Sequence, residues 1–309
     1  MKAARIHAFG GPEVLQIDEI DVPSPKTGEV LVRVSAAGVN PVDYKIRQGG
    51  YPKIAGKDLP VTLGRDVCGI VGEAGDAGSP RAVMALLDWT LGGYAEYVAL
   101  PRALCVPKPS NLTLVEAGAV PLAALTAWQG LFQVGALAAG QRVLIHAGSG
   151  GVGHFAVQFA AQCGAQVLST ASDANVEFVR KLGAATVIDY QKQRFETVAA
   201  DVDVVLDLVG GETRDRSWQV LRKGGILVST LGQPDEREAA KRGVRAKGYM
   251  ATPNTAQLAE IGSLIERGKV RPVVTRTFSL DEAAAAQTYL QQEHPRGKTV
   301  LSIWNGELT

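Results

Sequence analysis

The sequence has little cysteine, no excess of either charge and no low-complexity tract, and each absence excludes a class of protein. Cys68, Cys105 and Cys163 are an odd, widely spaced set in a chain of 309 residues. They form neither a disulfide framework nor a CxxC zinc pair, and read as small apolar side chains in a reducing cytoplasm. Lys and Arg number 32 against 31 Asp and Glu, a net charge of +1, which offers no field to nucleic acid or to an anionic membrane. The opening residues, MKAARIHAFGGPEV, lack the apolar core of a secretory signal. Ala117 to Gly140 carries no charge, but Pro121, Gly130 and Gly135 interrupt it and Gln129 and Gln133 lie within it. Those breaks suit buried helices better than a bilayer span.

Glycine is plentiful, 35 residues against 15 prolines, without the composition of a disordered chain, so many tight turns and close backbone approaches are expected. Up to about residue 115, short segments such as VLQIDEIDVP, GEVLVRVSAAGV and GGYAEYVAL alternate apolar and polar residues, the period of antiparallel strands. After Ala117 the texture becomes helical. RVLIHA, QVLSTA, TVID, VDVVLDLV and GILVSTLG then form continuous apolar runs separated by helical patterns, as in a parallel sheet covered on both faces. Beyond Met250 come a helix, the strand VVTRTFSL, an alanine-rich helix and a last strand, KTVLSI, which could rejoin the first domain.

The most informative run is HAGSGGVG, in which Gly148, Gly150 and Gly153 make a GxGxxG, with Ser149, Gly151 and Val152 completing the loop. It follows an apolar strand and opens a helix, the context in which bare backbone at a helix N-terminus receives a pyrophosphate. The second strand ends at Thr170-Ala171-Ser172, where an enzyme selective for NADH usually carries an acid for the ribose 2′-hydroxyl. With no acid there, NADPH is permitted and Ser172 can donate to its 2′-phosphate; Asp173, one residue on, is an acid that counts against this or, equally, a helix N-cap.

Together GEVLVRVSAAGVNPVDYKIRQGGYP, LGRDVCGIV, GGYAEYV, PLAALTAWQGL, HAGSGGVG, VRKLGA and GKTVL resemble the medium-chain dehydrogenase/reductase superfamily, in its zinc-independent quinone oxidoreductase (zeta-crystallin-like) branch. The resemblance implies an α/β chain with a GroES-like β-rich catalytic domain (1–116 and 255–309) and a Rossmann domain with a doubly wound parallel sheet (117–254). It also implies a homodimer formed through the cofactor domains. Zinc-dependent relatives carry Cys where this chain has Asn40, and Gly-His-Glu where it has Gly64-Arg65-Asp66. Asn is a poor zinc ligand and Arg none, so no metal is expected.

The resemblance further implies that Asn40 and Tyr51 face the nicotinamide and substrate, and that Lys45 and Thr126 bond the cofactor near its nicotinamide. Tyr190 lies beside the adenosine, and Lys298, which matches a tail lysine of the family pattern, is expected among the cofactor-binding residues. Lys45 stands where quinone reductases often carry a tyrosine, which tilts the acceptor towards enals and enones. Asn175 falls where the family usually supplies a lysine for the 2′-phosphate. The stretch from Glu73 to Leu86 is shorter than in relatives. The expected activity is metal-free hydride delivery from NADPH to quinones or α,β-unsaturated carbonyls, which demands chiefly that the two reactants be aligned. The alternative is a non-catalytic NADPH-binding structural or regulatory protein of the zeta-crystallin type.

Overall fold

The computed structural model describes residues 1–72 and 81–304, so part of the shortened Glu73–Leu86 stretch lies outside it. In chain order the strands are β1 (Lys2–Ile6), β2 (Leu15–Glu19), β3 (Glu29–Val39), β4 (Val61–Thr62), β5 (Asp66–Val71), β6 (Arg81–Leu86), β7 (Tyr97–Pro101), β8 (Val106–Pro107), β9 (Arg142–Ile145), β10 (Gln166–Ala171), β11 (Thr186–Asp189), β12 (Val202–Asp207), β13 (Leu221–Ser229), β14 (Arg245–Gly248), β15 (Val274–Ser279) and β16 (Lys298–Ser302). They fall into two compact units. The first holds Met1–Leu122, Thr252–Gly268 and Pro272–Thr309; the second holds Ala123–Ala251 with Lys269–Arg271.

The first unit is the β-rich one. A sheet in the order β15-β16-β3-β5-β6-β8, with β7 also paired to β3, accompanies a small sheet β2-β1-β4. Its pairs are antiparallel except β15 with β16. The alternation in GEVLVRV becomes β3, whose Val30, Val32 and Val34 are buried while Leu31 and Arg33 are only partly so. The last strand does return to the start: β16 runs antiparallel to β3, with Val300 opposite Gly38. Ala117–Leu122 belongs with this unit, because Gly118 packs on Ala36 and the Leu122 N–H donates to Asp66 Oδ1.

The second unit is a six-stranded parallel sheet in the order β11-β10-β9-β12-β13-β14. Numbered from its own first strand, that order is 3-2-1-4-5-6, which reverses between β9 and β12 and so places a ligand at the carboxyl end of β9. Val143, Leu144 and Ile145 of β9 are all fully buried, which is why this strand has no polar alternation. The uncharged stretch divides at its breakers into Leu114–Gly118, Pro121–Trp128 and a wider π-helical turn at Gln129–Val134. No helix among the described residues is long and apolar enough to cross a membrane.

Candidate active site

In the first unit, Asn40 directly follows β3 and stands at the N-cap position of the helix Pro41–Arg47. Its carboxamide is held at both ends. Nδ2 donates to Gly38 O at 3.1 Å and to Asp66 Oδ2 at 2.8 Å, while Oδ1 accepts from the Lys298 ammonium. Lys298, expected at the cofactor, is only 3% exposed; its Nζ also donates to Val39 O at 3.2 Å and lies 3.8 Å from Asp66 Oδ2. A methyl group on Gly38 would stand 2.4 Å from Asp66 Oδ2, so only glycine admits the carboxylate here.

Asp43 extends the network. Its Oδ2 accepts from the Asn40 N–H at 2.8 Å and from the hydroxyl of fully buried Tyr94 at 2.8 Å. Burial pushes the Asp43 carboxyl up to about 7, against these hydrogen bonds, which favour the charged form. Burial likewise raises Asp66 and lowers Lys298, each opposed by the other's charge. Two carboxylates therefore share a dry site with Lys298 and with Arg65, a residue 3% exposed whose guanidinium lies 3.5 Å from the Trp89 ring centroid. Trp89 in turn stacks on Tyr51 at 4.8 Å and 26°. Lys45, on the Pro41–Arg47 helix, is half-buried.

In the second unit, the glycine turn follows β9. Ala147 adopts φ +54°, a left-handed conformation that costs an alanine energy and turns the chain sharply. A Cβ on Gly148 would stand 2.0 Å from Ser169 Oγ, and one on Gly153 2.0 Å from Ala147 O. Those two glycines are required by the protein itself. Gly150 differs: a Cβ there meets nothing nearer than Ala147 O at 3.4 Å, so the protein's own packing does not demand glycine at this position. The helix that follows, Gly153–Gln162, has no side-chain cap bond and no acid in its first turn. Its unshielded N-terminus suits a pyrophosphate. The loop residues Ser149, Gly151 and Val152 are half-buried.

His146 is structural. Ser217 Oγ donates to Thr213 O at 2.7 Å, so it accepts from His146 Nε2 at 2.9 Å; Nδ1 then accepts from the Thr170 hydroxyl at 3.2 Å, and that hydroxyl accepts from the Ala147 N–H. Burial lowers the imidazole to about 4, so it is neutral and holds the turn. At the ends of β10 and β11, Ser172 and Tyr190 are neighbours: the Tyr190 N–H donates to Ala171 O at 3.2 Å, and Tyr190 is exposed. Ser172 Oγ accepts from Asn175 Nδ2 at 2.9 Å. Lys192 reaches over this mouth, 2.5 Å from Asp173 and 3.4 Å from Asp189. Thr126 is buried, and its carbonyl accepts from Tyr249 Oη at 2.6 Å.

Sequence reading missed Asp43, Tyr94 and Lys192, and assigned no pocket role to Arg65 or Asp66. A usable signal existed for the last two, since a charged pair inside the apolar run LGRDVCGIV must find partners in the interior.

Two family models match the chain: an alcohol dehydrogenase GroES-like domain over residues 26–110 and a zinc-binding dehydrogenase over residues 182–301. A chloroplastic NADPH-dependent alkenal/one oxidoreductase of Arabidopsis thaliana is 35% identical over 97% of this chain and 79% of its own length. Among solved structures, the quinone oxidoreductase of Coxiella burnetii matches with TM-score 0.89 and 34% identity, covering 98% of this chain and 99% of its own. The Escherichia coli quinone oxidoreductase complexed with NADPH matches with TM-score 0.87 and 26% identity, over 98% and 100% of the two chains. The chain belongs to the medium-chain dehydrogenase/reductase superfamily. The zinc in one family model's description does not fit the residues found here. Arg65 offers a cation in place of a ligand, and the Asn40 carboxamide is already engaged by Gly38, Asp66 and Lys298. Among the described residues no group of three or more His, Cys, Asp or Glu side chains converges as a metal set.

Proposed function

We propose that the protein is an NADPH-dependent oxidoreductase that reduces quinones or α,β-unsaturated carbonyls without a metal. One observation carries the cofactor reading: a glycine turn left open at Gly150 leads into an uncapped helix, beside a β10 that ends at Ala171-Ser172 with no carboxylate. The names of the Arabidopsis and Coxiella relatives support the acceptor class. NADPH, when bound, supplies the hydride. The backbone from Gly148 to Gly153 holds the pyrophosphate, the Ser172 hydroxyl and Lys192 meet the 2′-phosphate, and Tyr190 flanks the adenosine. Lys45 and Thr126 take the nicotinamide end, and Asn40 and Tyr51 shape the acceptor pocket. The buried network then serves to position, fixing the end of β3 so that Asn40 cannot turn.

The reaction needs no strong acid, because hydride addition to an enone leaves a delocalised enolate that water can protonate. On this reading the acceptor residues Asn40 and Tyr51 belong to the first unit and the phosphate-binding residues of the cofactor site to the second. Among the described residues β14, Arg245–Gly248, pairs only with β13 and ends its sheet, which supports a homodimer joined along that edge. The three unpaired cysteines suit the reducing cytoplasm. The test is NADPH and NADH consumption with 1,4-benzoquinone, 9,10-phenanthrenequinone and a 2-alkenal series. Turnover with NADPH well above that with NADH is expected. Tight NADPH binding with no turnover of any acceptor would favour a non-catalytic NADPH-binding protein instead.

A further inference from the structure

Arg65 presents an unusual balance. Among the described residues its Nε and both Nη atoms are buried and have no hydrogen-bond partner, although a guanidinium carries five N–H donors. Removing such a cation from water without acceptors is costly. The structure offsets only part of that cost, through the Trp89 face and the through-space charge of Asp43, Asp66 and Asp88. Arg47 is also buried and without a side-chain hydrogen-bond partner among the described residues, and it sees the charge of Glu13. Arg65 is backed by the half-buried Tyr51–Trp89 pair, whose flat faces suit a planar conjugated molecule.

We propose that Arg65 receives the carbonyl oxygen of the electron acceptor, donating hydrogen bonds to it while Trp89 holds the guanidinium and Tyr51 lies against the acceptor's plane. This rests on the reductase reading above and adds a specific group to it. The acceptor gains a C–H bond at its β-carbon from the NADPH hydride, and its C=C electron pair shifts so that the carbonyl π pair becomes an enolate oxygen lone pair. Water then gives up a proton to the α-carbon, its O–H bond breaking to leave hydroxide, as the enolate oxygen pair re-forms the carbonyl. The acceptor is reduced by two electrons and NADPH is oxidised to NADP+. Charge grows on the oxygen as hydride arrives, so a fixed, desolvated cation there stabilises the transition state more than the neutral ground state.

The experiment uses the full chain, with Arg65→Gln and Arg65→Lys as variants. Each is first checked by thermal melting and by NADPH titration of protein fluorescence. For a 2-alkenal, kcat/KM should fall at least about 100-fold in Arg65→Gln, with the loss mainly in kcat. Arg65→Lys should recover part of it, and NADPH affinity should stay unchanged. A second arm needs no turnover: a 2-alkenoate, the carboxylate counterpart of the enal, is titrated by calorimetry. The wild type should bind it, and Arg65→Gln should bind it about 10-fold more weakly or worse. If the wild type reduces no acceptor, the reductase reading fails, and the alkenoate arm still reports on Arg65. Unchanged alkenoate binding in a folded variant, or unchanged kcat, would overturn the assignment and leave Arg65 as a support for Trp89.

Discussion

The Nδ2 of Asn40 stands 2.8 Å from Oδ2 of Asp66, and the other end of the same carboxamide takes the Lys298 ammonium. An uncharged side chain therefore spaces a buried carboxylate from a buried cation. Lys298→Met would leave Asp66 without its cation and should cost about 3–5 kcal/mol of stability, measured by urea unfolding. Asn40→Asp would set a carboxylate against Asp66 and should destabilise as strongly, whereas an exposed substitution such as Glu293→Ala should stay within about 0.5 kcal/mol.

Two buried groups give opposite pH dependences. The native Asp43 carboxyl titrates at about 7 against an ordinary 3.8, so between those values the folded chain holds a proton the unfolded chain has released. Its stabilising contribution is present below about pH 4 and is lost as pH rises towards 7. His146 falls from 6.5 to about 4, so its contribution is present above pH 6.5 and is lost as pH falls towards 4. Asp43→Asn should expose the histidine slope, with stability rising between pH 4.5 and 6.5. His146→Gln should expose the reverse. Denaturant titrations at several pH values check this, and identical slopes in all three proteins would contradict it.

The glycines of the turn should separate folding from binding. Gly148→Ala drives a methyl group to 2.0 Å from Ser169 Oγ and should lower the melting temperature. Gly150→Ala has room within the protein, so it should melt close to wild type while losing about 10-fold or more in NADPH affinity, because the methyl group occupies the pyrophosphate's approach. Equal NADPH affinity in the wild type and Gly150→Ala would remove the reason given for that glycine.

Lys192 neutralises Asp173 at the mouth where the 2′-phosphate is proposed to sit. Lys192→Ala should weaken NADPH binding about 10-fold at low salt and leave NADH nearly unchanged, since only NADPH brings the extra phosphate charge. Asp173→Asn should shift the preference the other way. Paired fluorescence titrations with the two cofactors measure both.

The second unit was the more legible from sequence, because its evidence is local. A strand buried on both faces reads as an unbroken apolar run, and the glycine turn lies within a few consecutive residues, Gly148 to Gly153. The network around Asn40 was not legible in the same way. It depends on β16 returning to β3, which brings Lys298 to a residue 258 positions earlier, and no local pattern states which charges will meet. Lys298 was accordingly expected at the cofactor, whereas its ammonium lies on Asn40, Val39 and Asp66. The placement of Lys192 beside Asp173 was hidden for a similar reason, since it depends on β11 lying parallel to β10.

The most direct test of metal-free NADPH chemistry is a steady-state assay of the purified, metal-chelated protein with a 2-alkenal or a quinone, following NADPH absorbance. Acceptor-dependent NADPH oxidation is predicted to survive chelation and to be markedly slower with NADH. No oxidation with any acceptor, or activity that appears only when zinc is restored, would contradict it.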